Sequence, residues 1–189
     1  MFWLSIRPEI GRAAGQLHAL RFESFGQLGP DASVIDGTAA LPALRRRAEQ
    51  RLTNPRHLAL LLDTLERHRD LFAGLSTPTL CHEDLNPNNL VFNIHDGQPE
   101  FVGILDFESA WASTGESDLA RLELWWMMAG TAIRQGYSEV ADVAAEYTMR
   151  RPLLQLLRCL EYAEHHTSMK HQAVMNGVCA QLGIPEIQA

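Results

Sequence analysis

Residues 79–108 read TLCHEDLNPNNLVFNIHDGQPEFVGILDFE, and their periodicity differs from that of the chain on either side. Leu90–Ile94 and Glu100–Asp106 are two short apolar, β-prone runs separated by HDGQP, whose Asp96-Gly97 pair signals a hairpin turn. A hairpin returns its two ends to one place. It would therefore bring Asn89, just before the first strand, beside Asp106 at the end of the second. Thr79–His82 follows Pro78 and reads either as a strand or as an extended entry to the loop 82–89.

Outside this stretch the chain reads as helical. Ile10, Ala13, Ala14, Leu17 and Leu20 fall at three- and four-residue steps and mark a helix over 7–20. Residues 22–38 carry Gly, Pro and Asp punctuation and read as a loop. A helix over 40–52 follows. Asn54-Pro55 then gives a cap and first-turn signal for a helix over 55–72 that buries Leu58, Leu61, Leu62, Leu65 and Phe72. Helices are expected over 117–130 (capped by Ser117 or Asp118), 138–149, 152–166 and 168–182. The expected fold is α+β, mostly helical, with a small β-hairpin in its middle. A length of 189 residues suits one domain over 1–189.

Composition narrows the function classes. The formal net charge of −7 disfavours nucleic acid and suits a cationic small molecule better. The longest uncharged apolar stretch, Leu124–Ile133, is too short for a membrane span, and the N-terminal stretch lacks the basic start and apolar core of a signal peptide. Cys81, Cys159 and Cys179 form no CxxC pair, which suggests reduced thiols and a cytoplasmic location. Fifteen arginines accompany a single lysine, Lys170.

The polar residues of the opening stretch fit phosphoryl transfer, which needs an oriented nucleophile and divalent metal to neutralise phosphate charge. Asp84 supplies a carboxylate for the acceptor hydroxyl. Asn89 and Asp106 supply a neutral and an anionic oxygen of the kind Mg²⁺ prefers. The five-residue step from Asp84 to Asn89 presents both from one loop, which Pro87 stiffens. Such a loop can also be an ordinary turn, but the ordered H-x-D-L-x-P-x-N-L, strand, turn, strand, ILDFE pattern is far more restrictive.

The segment LCHEDLNPNNLVFNIHDGQPEFVGILDFESAWASTGESDLARLELWW (80–126) resembles the catalytic segment of the aminoglycoside phosphotransferase and choline kinase-like family. It is less similar to protein kinases, which place Gly where this chain has Glu108. The resemblance implies the C-terminal lobe of a protein-kinase-like fold, with ATP or another nucleoside triphosphate as phosphate donor and Mg²⁺ as cofactor. The implied acceptor is a small-molecule hydroxyl such as that of an aminoglycoside, choline or sugar. On this resemblance Asp84 is the catalytic base or acceptor-orienting carboxylate, and Asn89 and Asp106 are the metal ligands. His82 supports the loop, and Asp118 braces it by hydrogen bonds or simply caps a helix. Glu108 is a candidate substrate-facing acid, while Val91 and Leu105 line a nucleotide pocket or pack in the core. Glu161 and Glu164 are candidates for binding a cationic acceptor. A metal site among Glu161, Glu164, His165, His166 and His171 is a weaker reading than a solvated helix face.

Two departures concern the loop itself. The family has His or Lys where Asn86 stands and often Gly where Asn88 stands, so Asn88 is a candidate for a left-handed backbone. A larger departure concerns the family's β-rich N-terminal lobe, with its Gly-rich loop and phosphate-gripping lysine. Nothing before residue 80 matches it. The expectations are therefore a C-terminal lobe without that N-terminal lobe, and little or no kinase activity for the isolated chain. A non-catalytic binding module is the alternative. Apolar surface near Phe2, Trp3 and Leu4 would be covered by a homodimer or by a separate N-terminal lobe.

Overall fold

The computed structural model describes residues 2–124, 131–165 and 168–187. Helices account for most of it. In chain order the elements are α1 (Phe2–Leu17), β1 (Phe25–Leu28), β2 (Val34–Thr38), α2 (Ala40–Arg51), α3 (Pro55–Arg67), β3 (Thr79–Cys81), β4 (Leu90–His95), β5 (Gln98–Ile104), β6 (Trp111–Ser113), α4 (Glu116–Leu124), α5 (Thr131–Ser138), α6 (Tyr147–His165) and α7 (Met169–Leu182). The main core joins α1, α3, α4, α5, α6 and α7 through Ile6, Ile10, Leu61, Leu65, Leu119, Leu122, Ile133, Leu153, Leu156 and Val178, all nearly inaccessible to water. Leu85 and Leu90 belong to this core too, so the polar loop 82–89 is pinned by one buried leucine in its middle and another just beyond its end.

Backbone contact sets the crossing of α1 and α5. A Cβ on Gly136 would lie 2.0 Å from the Pro8 carbonyl oxygen, and one on Gly11 would lie 2.0 Å from that of Ile133. Only glycine admits this approach. In α3, Asn54 caps as expected by accepting the Arg56 N–H at 3.0 Å. This helix is shorter than the 55–72 read from sequence, because a separate 3₁₀ turn occupies Arg69–Phe72.

The expected hairpin is β4–β5, in register from Leu90 opposite Ile104 to His95 opposite Gln98, with an irregularity at Val91/Phe92. Asp96 and Gly97 both have positive φ (51° and 73°), the conformation that a two-residue hairpin turn requires. Thr79–Cys81 is a strand, paired antiparallel with β6.

Three expectations are corrected. Residues 22–38 are not a loop: β1 and β2 pair antiparallel, and β1 also pairs β6, giving a four-stranded sheet in the order β2-β1-β6-β3. These strands are too short to show alternation. Pairing of β1 with the distant residues 111 and 112 is what organises them, together with an Asp31 carboxylate that accepts the Ser33 N–H in the connecting turn. The helix expected over 138–149 is also displaced. Helix α5 ends at Ser138, and α6 starts at Tyr147 and runs through Pro152, which loses one backbone bond in its second turn. Finally, Leu20 does not extend the α1 face; it lies beyond the helix end and is exposed. Residues 125–130 of the helix expected over 117–130, and the side chains of Phe2, Trp3 and Leu4, lie outside the described residues.

Candidate active site

The loop 82–89 is held from three sides. His82, fully buried, accepts the Asp84 N–H on Nδ1 at 3.1 Å, so its Nε2 carries the proton and donates to the Leu105 carbonyl at 2.7 Å. One imidazole thus links the Asp84 backbone to the residue preceding Asp106. The Leu105 N–H donates to the Asn89 carbonyl at 2.9 Å, a second tie between loop and hairpin. The phenyl ring of Phe107 lies 4.7 Å from the His82 ring, tilted against it.

Asp118 provides the third support. It lies inside the first turn of α4 and is completely buried. Its Oδ2 accepts the His82 N–H at 2.7 Å and its Oδ1 the Glu83 N–H at 2.8 Å. The His18 ring lies 3.1 Å from Oδ2 on its other side and 2.9 Å from the Tyr137 hydroxyl. Burial alone would raise the Asp118 carboxyl. The hydrogen bond and charge of His18 and the two backbone donors prevail and hold it below the ordinary carboxylate range. Cys81 approaches the same cluster. Its buried thiol is pushed well up by desolvation and then by the Asp118 and Glu83 charges, which keeps it unreactive.

The left-handed residue of the loop is Glu83 (φ 62°), not Asn88. Asn88 joins a 3₁₀ turn over Pro87–Asn89, capped by Asn86, whose Oδ1 accepts the Asn88 N–H at 2.9 Å. A non-glycine residue with positive φ is unfavourable. Its N–H bond to Asp118 and the 3.2 Å pair between its carboxylate and the buried Arg47 hold Glu83 there. The Arg47 guanidinium also lies 5.0 Å above the Trp111 ring.

Asp84 is partly exposed and meets both Asn89 and two arginines. Its carbonyl accepts the Asn89 Nδ2 at 2.9 Å, and its Oδ2 lies 3.2 Å from the same nitrogen. Oδ1 accepts from the Arg121 guanidinium at 2.7 Å and faces Arg158 at 3.5 Å. Burial, and then the Arg158 charge, lower Arg121 to about 10, against the pull of Glu161, Glu83 and Asp84. It therefore stays protonated at neutral pH. Asp106 takes φ 65° at the head of the turn Phe107–Ser109, its side chain open to solvent. Glu108 is exposed in that turn. Val91 is half-buried and Leu105 is exposed, in company with exposed Val102 and Phe107 on or beside the hairpin.

Glu161 and Glu164 are committed within the protein. Glu161 meets Arg158 at 2.9 Å, Arg121 at 3.6 Å and Arg51 at 3.7 Å. Glu164 accepts the Thr53 and Asn54 N–H groups at 2.8 and 3.0 Å and faces His57 at 3.4 Å. His171 pairs instead with Ser168. Among the described residues, the one cluster with metal-ligand spacing is the buried His18, Cys81 and Asp118 set, whose groups already bond one another and the protein. His166 lies outside the described residues.

Sequence reading missed His18, Arg47, Arg121 and Arg158. His18 sits 64 positions before the His82 it supports through Asp118, and no local pattern marks it. The arginines are hidden in an arginine-rich composition.

Residues 6–153 match the model of the phosphotransferase enzyme family. The chain belongs to that family. Among solved structures, a candidate fructosamine-3-kinase from Thermobifida fusca is similar at 25% identity and a TM-score of 0.59, over 93% of this chain and 66% of that one. A second candidate fructosamine-3-kinase, from Haemophilus somnus, is 18% identical with a TM-score of 0.59, over 92% of this chain and 63% of that one. A thermostable mutant of aminoglycoside phosphotransferase APH(4)-Ia is 14% identical with a TM-score of 0.55, over 96% of this chain and 62% of that one. The last two show the shared kinase-like fold. No curated protein matches the sequence. The chain thus spans less than two thirds of the length of these structures. Among the described residues, no helix is long and apolar enough to cross a membrane.

Proposed function

We propose that this phosphotransferase carries the acceptor-orienting and metal-binding half of an ATP- and Mg²⁺-dependent kinase acting on a small-molecule hydroxyl. The observation that carries this reading is the double tie between the Asp84–Asn89 loop and the hairpin end bearing Asp106. Asn89 commits its Nδ2 to Asp84, which leaves Oδ1 as the oxygen for a cation. Asp106, next in chain to the Leu105 bonded to the Asn89 carbonyl, offers a solvent-open carboxylate. A neutral and an anionic oxygen on tethered backbones fit Mg²⁺. When bound, that ion would neutralise charge on the transferring phosphate.

The other steps belong to the chain's own residues. Arg121 fixes the Asp84 rotamer through Oδ1, so Oδ2, which also accepts the Asn89 Nδ2 at 3.2 Å, is the oxygen that would orient the acceptor hydroxyl and take up its proton. His82 and Asp118 set the loop position and do not touch substrate. Half-buried Val91 and exposed Leu105 support a donor-nucleotide surface on the hairpin. Val102 and Phe107 extend that apolar surface, which a strand-rich lobe or a second copy would cover. The three buried free thiols fit a reducing, cytoplasmic compartment.

The single lysine favours a second reading, in which the chain binds an acceptor without transferring phosphate. An ADP-release assay with Mg²⁺, ATP and a panel of polyhydroxyl acceptors distinguishes the two. The kinase reading expects turnover below the roughly 1–100 s⁻¹ typical of kinases, abolished in Asp106→Asn. Turnover indifferent to Asp106→Asn contradicts the metal-ligand role of Asp106, and neither turnover nor Mg²⁺-dependent ATP binding leaves only the binding module.

A further inference from the structure

A cavity of about 160 Å³, lined by Arg51, Arg158, Glu161, Tyr162 and His165, adjoins the catalytic loop. Arg158 forms the connection: its guanidinium lies 3.5 Å from Asp84 and 2.9 Å from Glu161 while lining the cavity wall. That guanidinium is stacked 4.1 Å over the Tyr162 ring, which fixes its plane. Arg51 reaches in from α2. It meets Glu161 at 3.7 Å, beyond hydrogen-bond length, and keeps about a third of its side chain (34%) exposed. Arg121 stands behind both, buried against Asp84.

The charge balance here is opposite to that of the whole chain. Arg51, Arg121 and Arg158 face two carboxylates, Asp84 and Glu161, on a protein whose net charge is −7. A cationic acceptor group in this cavity would meet arginines on two walls, with Glu161 already shared among all three. An anion would meet the loosely held Arg51 on one wall and, on the other, the charge of Arg158, whose terminal nitrogens face Glu161 and Asp84.

Resting on the kinase reading and deepening it, we infer that the acceptor bears an anionic group, a carboxylate or phosphate, seated between Arg51 and Arg158 with its hydroxyl toward Asp84. Glu161 is then a positioning residue that spaces the arginines and does not itself contact a cationic substrate.

Calorimetric titration of the full 189-residue chain tests this without nucleotide or Mg²⁺. The probes are gluconate against glucose and glucosamine, and glycerate and glycerol phosphate against glycerol. At least one anionic probe is expected to bind tenfold or more tighter than its neutral counterpart, and glucosamine no tighter than glucose. Arg51→Ala should erase that preference, while Arg51→Lys restores part of it. Arg45→Ala, at a half-buried arginine of α2 paired with Glu66, should match wild type. No anionic preference, a preference for glucosamine, or a preference that survives Arg51→Ala overturns the inference. The kinase reading fails separately, on the Asp106→Asn transfer assay.

Discussion

Replacing Asp118 should damage the loop's support more than any other single change near the site. Its two oxygens accept the His82 and Glu83 N–H groups at 2.7 and 2.8 Å and face the His18 ring at 3.1 Å, in a position closed to water. Hydrogen bonds to a charged group contribute about 1.5–3 kcal/mol each, and a buried donor left unpaired costs about 1–3 kcal/mol. Asp118→Ala strands two backbone donors and the imidazole, so a loss of about 4 kcal/mol is expected. Asp118→Asn keeps one acceptor oxygen and should lose roughly half as much. Urea unfolding followed by circular dichroism reads the difference. With a slope of about 2 kcal/mol per molar, the alanine variant should unfold about 2 M earlier than wild type.

The pH dependence has a definite sign. The folded Asp118 carboxyl lies below its ordinary range. Its contribution is therefore present above the unfolded carboxylate pKa of about 3.9 and lost as pH falls through the lower folded value. The gap between wild type and Asp118→Asn should be full at pH 7 and shrink in acid. A gap under about 1 kcal/mol, or one that widens in acid, would refute the bracing role.

Other expectations follow from equally local features. Arg150 is buried and bonds both oxygens of Glu116 at 2.6 Å and the Leu71 carbonyl at 2.9 Å, so Arg150→Met leaves a buried carboxylate unpaired and should lose about 3–5 kcal/mol. Differential scanning calorimetry should record this as a Tm about 10 °C lower. Glu164→Ala removes the acceptor for the N–H groups of Thr53 and Asn54; a destabilisation of about 2–3 kcal/mol is expected in urea, with anionic-probe binding unchanged. Gly136→Ala drives a methyl group to within 2.0 Å of the Pro8 carbonyl oxygen, so α1 and α5 must separate, and a loss of at least about 2 kcal/mol should appear in the same assay.

What the sequence disclosed and what it withheld divide along the range of the forces involved. The hairpin was legible because Asp96-Gly97 and two apolar runs specify it locally, and Asn54-Pro55 announced α3 for the same reason. Strands β1 and β2 are not legible, because β1 is ordered by pairing with residues 111 and 112, more than 80 positions away, and β2 by pairing with β1. Asp84, Asn89 and Asp106 are candidates on spacing and family pattern. Arg121 and Arg158 are not, since an arginine on a helix carries no mark of the carboxylate that it faces across the fold. The left-handed position was assigned to Asn88 by residue preference, whereas tertiary bonds from Asp118 and Arg47 hold Glu83 there instead.

The metal-binding assignment of Asn89 and Asp106 is most directly tested by paramagnetic broadening. Trace Mn²⁺ is added to the ¹⁵N-labelled chain, and amide signals are followed before and after excess Mg²⁺. The account predicts selective loss of signals from residues 84–91 and 104–108, recovery with Mg²⁺, and no such selectivity in Asp106→Asn. Broadening centred elsewhere, or unchanged in that variant, would contradict it.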